Sequence, residues 1–445
     1  MVMKVEKTIS SGQAAANRPG RRPMATGCRQ PCPCKNLKFP VLLRTSGPPG
    51  WIKILSSCRI GLICPAQKGD MVVDRIAPHL ITMNPQKYSA RMLLLAGISL
   101  LAASVSAQTT TDSGPYKIVN SAQLQGTGGI DYVTADSDGR RLYVPRGNQV
   151  LVFDLDSLKQ TGSITNTRAH GVAVDTKSHH AFASSNPVAM WDTQTLELIK
   201  TIPVEGGPDG ILFEPQTERV MVFSHRAPNV TVLDAKDGSI VGTIDLGGAP
   251  EQAQSDGQGH LYVDLEDKDS IAVVDLSTLK VTATYSLGGK GGGPGGLGLD
   301  AKNHILFAMC HEPATCVILS ADDGKILDAL PIGNGTDGGG FNPNTLEAFS
   351  SQRDGTLTII KENSPTSFAV EQNVKTKTGA KTCTLDTQKN QIVVIAVERA
   401  PGAPAITPPA QPAMTGTNQP PGGRRSRGGF NGPGLLNIIV VGQTQ

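Results

Sequence analysis

A unit of about 40 residues recurs along most of this chain and limits its possible folds more than any other feature. Each copy has a glycine-rich start, a short apolar strand, a turn, a second strand, a loop, a third strand and a weaker fourth. Successive third strands end 38, 42, 41, 45 and 41 residues apart, at Asp154, Asp192, Asp234, Asp275, Ser320 and Lys361. A four-stranded repeat of this length is typical of the blades of a β-propeller.

The number of copies predicts an all-β, seven-bladed β-propeller whose N-terminal strand closes the last blade. Six copies are complete, and a seventh begins with GAKTCTLDTQKNQIVVIAV. One blade cannot bury both of its faces alone, whereas a ring of stacked blades buries them all. The segments 116–124 and 435–442 each lack the rest of a blade. Their pairing would complete blade seven and remove an exposed strand edge.

An apolar stretch near residue 100 predicts export. Met92–Ala103 is too short to span a bilayer comfortably as a helix, follows Lys87 and Arg91, and leads through small side chains to Ala107. This is the order of a secretory signal peptide. We therefore predict a signal peptide over 83–107, no transmembrane segment after cleavage, and a periplasmic or secreted protein. An uncleaved membrane anchor is the alternative.

The domain organisation follows from the processing prediction. Residues 1–82 precede the predicted signal peptide and show no clear apolar period, so we interpret them as a disordered extension upstream of the true start. Residues 108–445 would form the propeller. The Pro- and Gly-rich stretch 399–434 interrupts blade seven and is predicted to be a disordered insertion.

Charge is divided unevenly along the chain. Residues 1–91 contain 15 Lys/Arg and 3 Asp/Glu, whereas residues 92–445 contain 26 Lys/Arg and 35 Asp/Glu. The predicted mature part is therefore acidic, and aromatic residues make up only 4% of the chain. Single-stranded nucleic acids are bound by cationic grooves with aromatic side chains. We therefore do not expect nucleic acid to be a partner.

Several repeats resemble those of a known family. LYVPRGNQVLVFDLDSLK at 142–159 and LYVDLEDKDSIAVVDLSTLK at 261–280 are similar to the repeats of YVTN-repeat, YncE-like exported β-propellers. The resemblance covers residues 116–442 apart from the insertion. It implies an exported repeat protein with a seven-bladed propeller, and it transfers no catalytic residue to this sequence.

The start of the first strand in each blade predicts a binding site. In a propeller these positions converge at one mouth of the central channel, where ligands commonly bind. The aligned polar residues are Asp131, His170, Asp209, Glu251, Gln252, Asp337 and Lys381. Several carboxylates with a histidine could coordinate a divalent cation or orient a small polar ligand. A water-filled polar channel without a ligand is the alternative.

A second ring of polar residues is predicted from the loops between the second and third strands of the blades. Its members are Arg146, His225, His311 and Gln352. These side chains would surround the channel mouth on the same face.

Cys310 and Cys316 flank the loop HEPAT between two adjacent strands of blade five. Export favours oxidation, and a cross-strand pair can lie within bridging range, so a disulfide between them is predicted. Two free or buried thiols are the alternative.

These features predict a binding or interaction protein rather than an enzyme. No metalloprotease, hydrolase-elbow or phosphate-loop motif with its required context occurs in the chain, so no catalytic residue is assigned. The ligand would be an unknown protein or a small polar molecule at the channel mouth or loop face. The alternative is a metal-dependent hydrolase or lactonase-like enzyme with its site in the channel.

Overall fold

A computed structural model describes residues 114–399 and 432–444. These residues form 28 strands and one 3₁₀ turn at Glu266–Lys268, arranged as seven four-stranded antiparallel sheets. The predicted all-β, seven-bladed β-propeller is therefore confirmed. Within the described ranges, no helix is long and apolar enough to cross a membrane. The predicted extension over 1–82 and the signal peptide over 83–107 lie outside the described residues.

Blades one to six each use four consecutive strands, paired in chain order. Blades one to three contain β2 (Thr134–Asp136), β3 (Arg141–Arg146), β4 (Gln149–Asp154), β5 (Gln160–Thr165), β6 (Val172–Asp175), β7 (His180–Ala183), β8 (Val188–Asp192), β9 (Leu198–Ile202), β10 (Pro208–Glu214), β11 (Arg219–Ser224), β12 (Val230–Asp234) and β13 (Ile240–Ile244). Blades four to six contain β14 (Pro250–Ser255), β15 (His260–Leu265), β16 (Ser270–Asp275), β17 (Lys280–Ser286), β18 (Pro294–Asp300), β19 (Ile305–Cys310), β20 (Thr315–Ser320), β21 (Ile326–Pro331), β22 (Thr336–Asn342), β23 (Glu347–Gln352), β24 (Thr356–Ser364) and β25 (Ser367–Lys375). Blade seven contains β26 (Ala380–Asp386), β27 (Gln391–Arg399), β28 (Pro433–Gln443) and β1 (Tyr116–Thr127).

Blade seven joins the two ends of the propeller sequence. Strand β1 pairs antiparallel with β28 from Tyr116 opposite Gln443 to Thr127 opposite Pro433. Tyr116 is 2% exposed, and its hydroxyl group donates a short hydrogen bond to Glu347 of blade six. Strand β1 therefore completes its own blade and also contacts the preceding one.

The predicted insertion is wrong at its two ends. Strand β27 continues to Arg399, and Arg399 lies opposite Gly434 of β28. The backbone pairing therefore extends further than the Pro/Gly-rich composition suggested. The remainder of that prediction, over 400–431, lies outside the described residues.

The core lies between neighbouring blades because successive side chains of a strand face opposite sides of the sheet. In β15, Leu261 and Val263 pack into the cluster shared with blade three, whereas Tyr262 packs into the cluster shared with blade five. Burial of an apolar side chain of this size stabilises the fold by about 1.5–3 kcal/mol. Both faces of every blade thus need apolar residues, which explains the short apolar runs of the repeat.

The repeated aspartate at the end of the third strands has a local role. Asp154 accepts hydrogen bonds from the backbone N–H and hydroxyl of Ser157, at 2.8 and 2.6 Å. Asp275 accepts from Ser277 N and Thr278 N at 2.8 and 2.9 Å. Such aspartates satisfy the backbone of a tight turn. This repeated residue therefore shapes turns rather than a ligand site.

The predicted disulfide between Cys310 and Cys316 is wrong. Both cysteines are free and fully buried. The Cys310 side chain packs between blades four and five, whereas that of Cys316 packs between blades five and six. The prediction treated the two residues as a cross-strand pair, but the partner of Cys316 across the strands is Met309. The two thiols therefore point to opposite faces of blade five.

Candidate functional site at the channel mouth

The first strand of each blade contributes one residue at an equivalent position to one end of the central channel. This residue stands five positions before the last residue of the first strand in six blades and four positions before it in blade four, where β14 ends at Ser255. The strand pairings show the equivalence. Taken in blade order, the seven residues are Asp131, His170, Asp209, Glu251, Gly295, Asp337 and Lys381. Six of the seven were predicted, and they form the ring that we call the channel mouth.

His170 lies between two carboxylates of neighbouring blades. Its Nδ1 atom is 2.6 Å from Asp131 Oδ2 and 3.3 Å from Asp209 Oδ1. The side chain of His170 is 46% exposed, whereas those of Asp131 and Asp209 are 21% and 24% exposed. A half-exposed imidazole thus sits above two more deeply set acids.

His225 forms a second bridge from the loop after β11. Its Nε2 atom is 3.5 Å from Asp209 Oδ2 and 3.4 Å from Glu251 Oε2. The other oxygen of Glu251 accepts a 2.7 Å hydrogen bond from the hydroxyl of Tyr132, which reaches across from blade one. Asp209 is therefore shared by His170 and His225.

On the opposite side of the mouth, two cationic side chains pair with the carboxylates. The ammonium group of Lys381 pairs closely with Asp131 and lies 3.0 Å from Asp337 Oδ2. The guanidinium of Arg353 donates a 2.7 Å hydrogen bond to the same oxygen of Asp337. One connected network therefore runs through eight charged or titratable side chains: Glu251, His225, Asp209, His170, Asp131, Lys381, Asp337 and Arg353.

The pKa values of both histidines, of Asp209 and of Glu251 are shifted from their usual range. The carboxylate of Asp131 raises the pKa of His170, and that of Glu251 raises the pKa of His225 to about 9. Burial raises the pKa of Asp209 and of Glu251, and neighbouring carboxylates act in the same direction. These surroundings therefore favour the protonated form of both histidines and disfavour the ionised form of Asp209 and Glu251.

Asp131 and Asp337 behave differently because they have cationic partners. Burial would raise the pKa of each, but the hydrogen bond from His170 to Asp131 and the charge of Lys381 beside Asp337 outweigh it. The pKa of both carboxyl groups is therefore lowered. One side of the mouth is neutralised internally, whereas the side around Asp209 is the one that can accept another cation.

Two overlapping sets of side chains have the composition of a metal site. The ligand atoms of Asp131, His170 and Asp209 lie within 4.8 Å of one another, and so do those of Asp209, His225 and Glu251. Nitrogen and oxygen donors of this kind suit Zn²⁺ and related divalent ions. The arrangement could also hold a protonated amine or another small cationic group between its carboxylates.

One residue predicted at the mouth, Gln252, has a structural role instead. The side-chain oxygen of Gln252 accepts hydrogen bonds from Leu297 N and Gly339 N, at 3.0 and 3.1 Å. Gln252 therefore connects the first strands of blades four, five and six below the mouth. His311 lies on the mouth face, 3.9 Å from Glu266.

The predictions for Arg146 and Gln352 in the second ring are wrong. Both are buried at the end of a second strand. Arg146 lies opposite Ile130, which precedes β2, and Gln352 lies opposite Thr336 at the start of β22. The position equivalent to His225 is the next residue along the chain, which is Arg353 in blade six. The sequence alignment was offset by one residue because it could not detect where the strand pairing ends.

Sequence reasoning missed three contributors to the mouth. Arg353 follows the predicted Gln352, Tyr132 follows Asp131, and Gly295 is the one small residue in the ring. A side chain at Gly295 would meet the ring of His311, because a Cβ atom there would lie 2.8 Å from Nε2. An alignment counted from the ends of the first strands would have found Gly295.

A cavity of about 550 Å³ occupies the channel, lined by Tyr132, Glu251 and Gln252 and by apolar residues such as Phe213 and Phe341. Tyr132 and Glu251, which are hydrogen-bonded to each other at the mouth, also line this space.

Comparison with known proteins supports the fold. No protein-family model matches the sequence, and no curated protein does. Among solved structures, that of the RRP9 WD40 repeats is similar, with a TM-score of 0.56 and 10% identity, over 74% of this chain and 99% of that chain. The structure of U3-55K has a TM-score of 0.55 and 10% identity, over 72% and 98%. At this identity the likeness is one of fold, and the chain is a β-propeller similar to WD40 propellers.

Proposed function

We propose that this protein is an exported binding propeller whose channel mouth holds a divalent cation, to which a small polar ligand attaches. The observation that carries the proposal is the position of His225 between Asp209 and Glu251. The export part rests on the signal peptide predicted over 83–107 and on the resemblance to exported YVTN-repeat propellers.

The distances around His225 favour a shared ion over hydrogen bonds. Charge-assisted N–H···O bonds are commonly about 2.7–2.9 Å long. His225 Nε2 is instead 3.4 and 3.5 Å from its two acidic neighbours. In tetrahedral zinc coordination with bonds of about 2.0–2.2 Å, neighbouring ligand atoms are roughly 3.4 Å apart. Both distances from His225 Nε2 therefore match the spacing of two ligands of one ion, and the three ligand atoms lie within 4.8 Å of one another.

The charges of the mouth also favour a cation. Four carboxyl groups lie near only two fixed positive charges, those of Lys381 and Arg353, and near two histidines. A divalent ion bound to His225, Asp209 and Glu251 would replace the proton of His225 and reduce the repulsion between the two buried acids. Metal binding of this kind releases protons and strengthens as pH rises.

A metal-dependent hydrolase is the second candidate. It would place the ion at Asp131, His170 and Asp209, which leaves Glu251 outside the ligand set. Burial raises the pKa of the Glu251 carboxyl group, which accepts a hydrogen bond from Tyr132. A carboxylate in this position could remove a proton from metal-bound water. Turnover of ester or lactone substrates by the zinc-loaded chain would favour the enzyme over the binding protein.

The test is a calorimetric titration of the full-length, chelator-treated chain with Zn²⁺, Mn²⁺ and Ca²⁺. We expect Zn²⁺ to bind more tightly than Ca²⁺, because calcium prefers oxygen ligands and this site supplies an imidazole nitrogen. The variant Asp209→Asn should lose at least about tenfold in zinc affinity, since it removes a charged ligand.

The matched control is Asp322→Asn. Asp322 pairs with His304 at 2.6 Å on the exposed surface of blade five, away from the mouth. This variant breaks a histidine–aspartate pair without changing the candidate site, so its zinc affinity should equal that of the wild type. Equal zinc affinity in wild type and Asp209→Asn would disprove the metal site.

A further inference from the structure

A cleft in blade one contains a buried positive charge that has no acidic partner. Its volume is about 580 Å³, and it is lined by the end of β1, the turn after β3 and the loop after β5. We call it the blade-one cleft. Its cationic residues are Arg146 and Arg168, and its amide side chains include Asn148 and Asn166.

Arg146 is 2% exposed although it carries a full charge. Its Nη1 and Nη2 atoms donate hydrogen bonds to the carbonyl oxygens of Leu124 and Gly434, at 3.0 and 2.8 Å, and its Nε atom has no partner. Within the described ranges it makes no ion pair. A buried charge without a counter-ion is costly, so an anion nearby would stabilise it.

The backbone around Arg146 is built to admit this large side chain. Gly126 lies next to the guanidinium, and a Cβ atom there would be 2.8 Å from Nη1. Gly147, directly after Arg146, has a φ of +62°, a conformation that favours glycine. These two glycines therefore leave the space and the backbone conformation that the buried Arg146 side chain requires.

Arg168 adds a second charge to the same cleft. It is exposed and makes no ion pair among residues 114–399 and 432–444. The chain between 399 and 432, which rejoins β28 beside Arg146, contains no Asp or Glu. Two unpaired arginines beside two amide side chains form a donor-rich and acceptor-poor surface.

We propose that the blade-one cleft binds a small oxyanion, such as a phosphate or carboxylate group, between Arg146 and Arg168. Arginine recognises both groups through paired N–H donors, and the amides of Asn148 and Asn166 can donate to the remaining oxygens. The site is distinct from the channel mouth, because none of its lining residues belongs to the mouth network. The protein would therefore have one site for a cation and another for an anion on the same chain.

The test uses the full-length chain with inorganic phosphate and with succinate, each at an ionic strength matched with sodium chloride. Thermal melting and calorimetry should show stabilisation by at least one of the two anions beyond that of chloride. If only phosphate binds, we infer that the natural ligand carries a phosphate group. If only succinate binds, we infer that it carries a carboxylate.

Two variants in the cleft and one control outside it decide whether the binding is at this cleft. Arg168→Gln changes an exposed residue, should fold normally, and should weaken binding by about tenfold, the loss expected for one charge-assisted contact. Arg226→Gln removes an exposed arginine outside the cleft lining and should bind as the wild type does. Arg146→Gln, if folded by circular dichroism, should show the same loss as Arg168→Gln. Absence of binding by both anions, or unchanged binding in Arg168→Gln, would overturn the proposal.

Discussion

Carboxyl groups in this propeller differ according to the donors around them. Asp154 and Asp275 are half-buried, accept several turn hydrogen bonds, and have a lowered pKa because the hydroxyls of Ser157 and Ser277 favour the charged form. Glu362 is 2% exposed, accepts one 2.7 Å bond from Asn303, and leaves its Oε2 atom without a partner. Burial raises the pKa of Glu362 to about 7, and the nearby Asp300 adds to the shift. A carboxylate therefore stabilises the turns at Asp154 and Asp275, whereas the ionised carboxylate of Glu362 destabilises the core.

The glutamate at position 362 should make stability depend on pH. Its folded-state pKa of about 7 is above its usual 4.5, so the folded protein holds the proton more tightly than the unfolded chain. Stability from this group is therefore present below pH 4.5 and is lost as pH rises to about 7. Glu362→Gln cannot ionise, so its unfolding free energy relative to wild type should increase over this range. Denaturant unfolding at pH 4.5, 6 and 8 measures the difference.

Glu205→Gln is the control for that series, because Glu205 is exposed. Its unfolding free energy relative to wild type should change little with pH. A difference between Glu362→Gln and wild type that stays constant from pH 4.5 to 8 would contradict the assignment of a proton to Glu362.

Among the elements, β1 has a particular role because it brings a distant part of the sequence into the last blade. It covers the outer edge of β28, and its first residue, Tyr116, is buried between blades six and seven. The backbone of Tyr116 is also held by the side chain of Gln372, which accepts from Tyr116 N and donates to Tyr116 O, both at 2.9 Å. Contacts to both blades at one residue make the start of β1 a natural anchor for ring closure.

Replacement of Tyr116 should therefore destabilise the whole ring. Tyr116→Ala removes a buried aromatic side chain and one hydrogen-bond donor to the buried Glu347, so we expect a loss of about 3–5 kcal/mol. Chemical denaturation followed by tryptophan fluorescence measures this loss. Val119→Ala, in the same strand but 42% exposed, should cost under roughly 0.5 kcal/mol. Equal losses in the two variants would mean that β1 is not anchored through Tyr116.

For the whole molecule, the repeat period was sufficient to predict the fold. The repeat is about 40 residues long, and its short strands have apolar side chains on both faces. Few architectures other than a closed ring bury such strands. The same logic predicted six of the seven mouth positions, because equivalent positions in a ring converge on one axis. What the sequence could not predict was register: Gln352 and Arg353 differ by one residue, and only the pairing of β22 with β23 shows which one faces the mouth.

Side-chain direction was the second limit of the sequence. Cys310 and Cys316 are close in the chain, but pleating sends their thiols into different inter-blade cores. Arg146 was expected at the mouth because of its charge, yet its side chain turns beneath β1 and β28 to two carbonyl oxygens. Charge and spacing alone could not show that this arginine lies in the blade-one cleft and not at the channel mouth.

The most direct test of the cation site is anomalous X-ray diffraction from crystals of the full-length chain grown with Zn²⁺, recorded on both sides of the zinc absorption edge. We predict one strong anomalous peak at the channel mouth, about 2.0–2.2 Å from His225 Nε2 and from a carboxylate oxygen of Asp209 and of Glu251. The peak should disappear in crystals of Asp209→Asn. A mouth without an anomalous peak, in crystals where zinc is bound elsewhere on the protein, would contradict the proposed function.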